Sequence, residues 1–78
     1  MPNLTLDMSE LEFMQEHYSF GPQIVDSVAV EATKALQQGG RIVVERRYEH
    51  APADQLVTIS SVEEFNRFWA SLFSNLEG

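Results

Sequence analysis

The absence of cysteine is the feature that most constrains how this chain of 78 residues can fold. Without cysteine the chain can form no disulfide framework, no thiolate nucleophile and no cysteine-ligated zinc or iron–sulfur site. A chain of this length buries only about 60% of the surface of its unfolded form, which leaves interior for one core. We therefore expect residues 1–78 to form a single small domain that is stabilised by packing and is too small for a large enzyme.

The apolar segments of the sequence are short. Residues 42–44 form one of the longest uninterrupted apolar runs, whereas a membrane-spanning helix needs about 20 such residues. The N-terminal segment carries several carboxylates and no lysine or arginine, which is the opposite of a cationic signal peptide. These features predict no membrane partner and no export signal, and they favour a cytoplasmic location.

The charge of the chain is unevenly distributed. Its formal net charge is -7. The first 33 residues contain no basic residue and six acidic ones, namely Asp7, Glu10, Glu12, Glu16, Asp26 and Glu31. Carboxylates repel the phosphates of nucleic acids and attract basic protein surfaces. We therefore expect no direct binding of nucleic acid, and we expect the partner to be another protein with a basic surface.

The first part of the chain has the pattern of one short helix. Leu4 and Leu6 alternate with polar residues, which suits either a short strand or an ordered arm. Ser9 and Glu12 have the spacing of a capping box, in which each side chain binds a free backbone amide of the first turn. This spacing predicts a helix over residues 10–18.

A second helix is expected to begin at Pro22, since proline is tolerated at the first helical position. It should end at Gly39 and Gly40, because glycine readily adopts the left-handed conformation that follows a helix. The apolar residues that would form its inward face recur with helical spacing: Val25, Val28, Ala32, Ala35 and Leu36.

The rest of the chain predicts a β-hairpin and a third helix. Residues 41–49 and 55–60 alternate as antiparallel strands do, and a capping box from Ser61 to Glu64 begins the helix. Its apolar face would contain Phe65, Trp69, Leu72, Phe73 and Leu76. The predicted fold is α+β: two N-terminal helices with or without a preceding strand, an antiparallel hairpin, and a C-terminal helix packed on the hairpin.

Residues that could carry catalysis are sparse. His17 and His50 are separated by 33 positions, with a predicted helix and strand between them. No metal ligand stands three or four residues before His17, and the acidic segment lacks the alternating oxygen ligands and glycine turn of a calcium loop. We therefore expect no enzyme activity, no metal site and no cofactor.

The predicted partner contacts combine acidic, apolar and basic residues. The six N-terminal carboxylates would form an acidic contact surface, with a merely solvated face as the alternative. Phe13 and Phe20 fit the apolar stripes less well, so they would contact either a partner or the core. Arg46 interrupts the apolar face of its strand beside Tyr48, and it would form either a partner contact or an ion pair at the sheet margin.

The chain resembles two classes of phage proteins. The order helix, Gly-Gly, hairpin and capped helix over residues 29–72 resembles the layout of the phage head-tail joining proteins, which implies an assembly role. The size and acidity of the chain are similar to those of phage-encoded inhibitors of bacterial defence, including the anti-CRISPR proteins.

Two hypotheses about function follow, beside a third, an enzyme or small-ligand protein, which would need a polar pocket that no local motif predicts. In the first, the chain is a non-catalytic inhibitor or adaptor that binds through its acidic surface. In the second, it is a structural protein or homodimer that uses the apolar residues Phe13 and Phe20 or the hairpin edge.

Overall fold

A computed structural model describes the backbone of residues 3–77, together with all side chains in this range except those of Phe20 and residues 75–77. The described chain is an α+β structure with three α-helices and a three-stranded mixed sheet, which confirms the predicted class. The elements in chain order are β1 (Leu4–Asp7), α1 (Met8–Glu16), a 3₁₀ turn (Tyr18–Phe20), α2 (Pro22–Gln37), β2 (Ile42–Arg46), β3 (Asp54–Ile59) and α3 (Val62–Glu77).

The sheet has the order β1-β2-β3, with β2 in the centre. As predicted, β2 and β3 pair antiparallel, with Ile42 opposite Ile59. The residues before α1 form the strand that the sequence left open, and this strand pairs parallel to β2, with Leu4 opposite Ile42 and Leu6 opposite Val44. Parallel neighbours need a long crossover, here formed by α1 and α2, so local pattern alone did not predict this pairing.

The first hairpin strand is shorter than predicted, and the second is displaced by one residue from its predicted position. β2 ends at Arg46 rather than at residue 49, and β3 runs from Asp54 to Ile59. The register shifts between Val44 and Glu45, so that Leu56 has no partner residue on β2. Such a bulge bends and twists the hairpin locally. The alternation of side chains continues beyond Arg46 in the sequence, but it does not show where backbone pairing stops.

The helices and strands share one buried apolar cluster. Each α-helix and each strand contributes to it, and its members are Leu6, Leu11, Ala32, Leu36, Ile42, Val44, Ile59 and Phe65. The backbone neighbours of α3 are chiefly α2 and α1, rather than the hairpin that was expected to lie beneath it. Phe65 is the α3 member of the cluster, and Val62, Phe68, Trp69 and Leu72 of the same helix pack against it. Leu76, also predicted for this face, lies outside the described side chains.

The two predicted capping boxes have different outcomes. At α3 the serine half is confirmed, because the amide of Glu64 donates to Ser61 Oγ at 3.1 Å. The Glu64 carboxylate accepts from the Ser61 hydroxyl at 3.3 Å rather than from the backbone amide that a full capping box would use. At α1 the prediction is wrong, since the helix begins at Met8 and the Asp7 carboxylate accepts from the amide of Ser9 at 2.9 Å. The cap shifts because β1 ends at Asp7 and runs directly into the helix.

The end of α2 is closed by its two glycines. The amide of Gly39 donates to the carbonyl of Leu36 at 3.1 Å, and the amide of Gly40 donates to that of Ala35 at 2.8 Å. This is the Schellman arrangement, and it requires a left-handed residue at Gly39, whose φ is 84°. The arrangement turns the chain sharply from α2 into β2.

Replacing Gly39 by alanine should therefore lower the free energy of unfolding by about 1 kcal/mol, because an L-residue is strained at this φ. Urea unfolding followed by circular dichroism measures the loss. Gln37→Ala, a change at the exposed end of the same helix, is the matched control and should have little effect. Equal stability of Gly39→Ala and the wild type would contradict the expected strain.

Candidate protein-binding site

Two of the predicted contact residues, Glu12 and Arg46, bind each other. Nη1 and Nη2 of Arg46 donate to Oε1 and Oε2 of Glu12, both at 3.0 Å. Glu12 lies on α1 and its side chain is 45% exposed, whereas Arg46 lies on β2 and its side chain is 33% exposed. These hydrogen bonds from Arg46 hold the pKa of Glu12 below its ordinary value. The pair joins the helix to the margin of the sheet, which is one of the two roles the sequence allowed for Arg46.

The lowered pKa of Glu12 predicts a dependence of stability on pH. The charged carboxylate is favoured in the folded state, so its contribution is complete above the pKa of an unfolded glutamate, about 4.3. That contribution is lost as pH falls through the lower pKa of the folded state. Glu12→Gln should therefore be less stable than the wild type near pH 7, and the difference should shrink as pH falls below about 4.3.

Urea unfolding of both proteins between neutral and acidic pH checks this expectation. Glu16→Gln removes an exposed carboxylate that forms no hydrogen bond or ion pair with the described residues, so it is the matched control. A Glu12→Gln difference that persists unchanged in acid would show that the ion pair does not stabilise the fold.

A second arginine compensates more of the N-terminal acidity. Nε of Arg47 donates to Oε1 of Glu45 at 2.9 Å, and this hydrogen bond raises the pKa of Arg47, with smaller contributions from Asp7 and Glu10. Asp7 is also the cap of α1. Asp7 and Glu10 thus lie near Arg47, which directly follows β2, although they belong to a separate region of the sequence.

The predicted acidic residues lie on different elements and border different clefts. Glu10 and Glu16 lie exposed on α1. On α2, Asp26 borders a cleft shared with α3, whereas Glu31 borders clefts beside β1. The two α2 carboxylates therefore point toward different neighbours. The α1 carboxylates Glu10 and Glu16 share their helix with an exposed aromatic residue, which α2 does not have.

That aromatic residue is Phe13, whose side chain is 63% exposed. Together with Met14, His17 and Ile24 it lines a shallow groove of about 340 Å³ between α1 and α2, which we call the α1–α2 groove. The rings of Phe13 and His17 are 4.4 Å apart. The exposure agrees with the expectation that Phe13 lies off the core stripe of its helix.

Three members of the α1–α2 groove, Met14, His17 and Ile24, were not among the predicted partner contacts. Ile24 is the more exposed of the two apolar ones. It is 62% exposed and stands outside the predicted inward face of α2, so an off-stripe isoleucine in the first turn was the available signal. A Cβ added to Gly21 would lie 3.3 Å from Cδ1 of Ile24. Because Gly21 has no side chain, the Ile24 side chain can pack close to the turn that precedes α2.

The remaining predicted contacts have different surroundings. Tyr48 is 47% exposed, and its hydroxyl donates to the Asp54 carboxylate at 3.1 Å, which raises the pKa of Tyr48. This hydrogen bond ties the two ends of the hairpin loop together. Phe20 lies in the 3₁₀ turn, and its side chain is outside those that the structure describes.

The described residues contain no group of three or more histidine, aspartate or glutamate side chains placed to hold a metal ion. Within the same part of the chain, no helix combines the length and apolar character that crossing a bilayer requires. The described surface offers an apolar groove, exposed carboxylates and an open sheet edge.

Comparisons of the chain with protein-family models, curated proteins and solved structures give no significant match.

Proposed function

We propose that this chain is a non-catalytic protein-binding domain that acts as an inhibitor or adaptor on a protein with a basic surface. A cytoplasmic inhibitor of the phage anti-defence kind is the class we favour, because such inhibitors are similarly small and acidic. The proposal includes no enzymatic reaction, no cofactor and no contact with nucleic acid or membrane.

The observation that carries the proposal is the combination of Phe13 with two carboxylates on the exposed side of α1. Helical spacing places Glu10 one turn before Phe13 and Glu16 one turn after it. We call Glu10 and Glu16 the acidic rim. An exposed aromatic residue can anchor a partner in an apolar contact, while surrounding charges of one sign accelerate encounter with the opposite sign. This combination favours binding of a protein over a purely solvated helix.

Photocrosslinking from position 13 identifies the partner, which is then purified for a kinetic test. A benzophenone amino acid at Phe13, with the same group at Val30 as a control on α2, identifies proteins that contact the groove specifically. With the purified partner, Glu10→Lys/Glu16→Lys should lower the association rate roughly tenfold at low salt and flatten its salt dependence. Stopped-flow or biolayer measurements over a range of ionic strengths give both quantities.

The matched control is Asp26→Lys/Glu31→Lys, which changes the net charge equally on α2, away from the acidic rim. At physiological salt it should slow association less than Glu10→Lys/Glu16→Lys does, because the screening length there is about 8 Å. An unchanged association rate for Glu10→Lys/Glu16→Lys would overturn the acidic-surface proposal. Equal slowing by both variants would show that only total charge matters.

A second candidate function is self-assembly through the hairpin edge. β3 lies at the edge of the sheet, and Leu56 and Val57 on it are 51% and 38% exposed. Residues 55–59 contain no charge and no proline, the features that usually protect an edge strand from pairing with another chain. A structural or homodimeric role would use this edge.

Light scattering at two concentrations tests self-assembly. If β3 pairs with a second copy, the mass should rise toward that of a dimer, and Thr58→Lys should restore the monomer because a lysine disfavours edge pairing. Val30→Lys, an equally charged change on α2, should leave the dimer intact. A monomer mass at both concentrations would contradict this second function.

A further inference from the structure

The α1–α2 groove and its acidic rim together define the chemistry of a ligand. The groove is lined by three apolar side chains and by His17. It is open to solvent at Phe13 and Ile24, which are among the most exposed large apolar side chains of the described residues. A groove of this composition accepts one apolar anchor from a partner.

The acidic rim sets the spacing of the charges that would accompany this anchor. Glu10 and Glu16 are six positions apart on α1, which corresponds to about 9 Å along the helix axis. On a partner helix, basic residues seven positions apart are separated by about 10.5 Å and share a face with an apolar residue between them. Their charges would lie beside Glu10 and Glu16 while the apolar residue enters the groove.

The charge of the surrounding chain decides between possible occupants. A second copy of this protein would bring another net charge of -7 to a rim that is already acidic, so self-docking here is opposed by repulsion. A basic segment gains attraction from both the rim and the total charge. Helices docked by their apolar face into a groove are a recurrent mode of recognition.

We propose that the α1–α2 groove binds a basic amphipathic helix of a partner protein, with one apolar anchor between Phe13 and Ile24 and flanking lysine or arginine residues on the acidic rim. This inference rests on the proposed function, and it adds the ligand class and the anchor site. Ile24 becomes a specificity-determining contact for the anchor.

Synthetic peptides test the inference without knowledge of the natural partner. The probe is a helical peptide of about 16 residues, long enough to be partly helical in water, with lysines seven positions apart and a leucine between them. One control peptide replaces both lysines by glutamate, and another replaces the leucine by serine. Binding is followed by NMR of the labelled protein, which gives the affinity and the location of the shifted amides together.

The lysine peptide should shift amides of α1 and of the first turn of α2, and each control peptide should bind at least roughly tenfold more weakly. Phe13→Ala and Ile24→Ala should each weaken the lysine peptide by about tenfold. Val30→Ala removes a comparably exposed side chain (59%) elsewhere on α2 and should leave the affinity unchanged. These three protein variants change exposed positions, so their folds should remain intact.

Several results would overturn the inference. The first is that the glutamate peptide binds as tightly as the lysine peptide. The second is that Phe13→Ala binds the lysine peptide as tightly as the wild type does. The third is that the shifted amides are confined to β3 or to the cleft between α2 and α3. A protein dimer that is abolished by Phe13→Ala would show that a second copy occupies the groove instead. Each of these would leave the proposed function standing if the natural partner still associates through the acidic rim. An unchanged association rate for Glu10→Lys/Glu16→Lys would remove the proposed function itself.

Discussion

Phe65→Ala is expected to destabilise the protein by about 3 to 5 kcal/mol, the usual loss for truncating a buried phenylalanine. Phe65 is 1% exposed and belongs to the cluster that joins α3 to the sheet. A domain of this length has a total stability of roughly 4 to 12 kcal/mol. The single truncation should therefore remove a large part of the stability and leave a substantial unfolded population.

The measurement uses the only tryptophan as a reporter. The ring of Trp69 lies 5.1 Å from that of Phe65 and 4.7 Å from that of Phe73, so its fluorescence should change when α3 leaves the core. Urea unfolding should be followed by fluorescence and circular dichroism together. Phe68→Ala, at a half-buried position one turn away, is the control and should cost about 1 to 2 kcal/mol. A similar cost for both truncations would contradict the central place of Phe65.

Leu11→Ala and Phe13→Ala should separate the structural face of α1 from its binding face. Leu11 is 2% exposed, and its truncation should cost about 2 to 5 kcal/mol. Phe13 is 63% exposed, and its truncation should change the free energy of unfolding by no more than about 0.5 kcal/mol. The two residues stand on one helix and differ in what their side chains contact.

Urea unfolding measures both variants, and binding of the lysine peptide provides the second readout for Phe13→Ala. A loss of stability comparable with that of Leu11→Ala would show that Phe13 supports the core, and the assignment of Phe13 to a contact surface would then be wrong. If Phe13→Ala is about as stable as the wild type but no longer binds the lysine peptide, Phe13 is a partner contact.

The parts of the fold that were predicted correctly depend on short-range signals. Pro22 marks the start of α2, Gly39 and Gly40 its end, and Ser61 with Glu64 the start of α3. Each signal acts on backbone groups within a few residues, so the local sequence is sufficient. The α+β class followed from the same signals.

The wrong or incomplete predictions depend on residues that are distant in the chain. Asp7 caps α1 because β1 ends there, and β1 is stabilised as a strand by pairing with β2. The sequence left Arg46 with two roles, and only the arrival of α1 beside β2 pairs it with Glu12. These contacts join segments that are more than 30 positions apart, and no local periodicity reports them.

The candidate site divides in the same way. The sequence alone determined that the N-terminal third is acidic, that Phe13 stands apart from the core stripe of its helix, and that cysteine-based chemistry is absent. Tertiary structure decided that Glu12 forms an ion pair with Arg46, that Asp26 and Glu31 face different neighbours, and that Ile24 lies with Phe13 across a groove. Charge and helical face are properties of neighbouring residues, whereas a binding surface depends on which distant side chains the fold brings together.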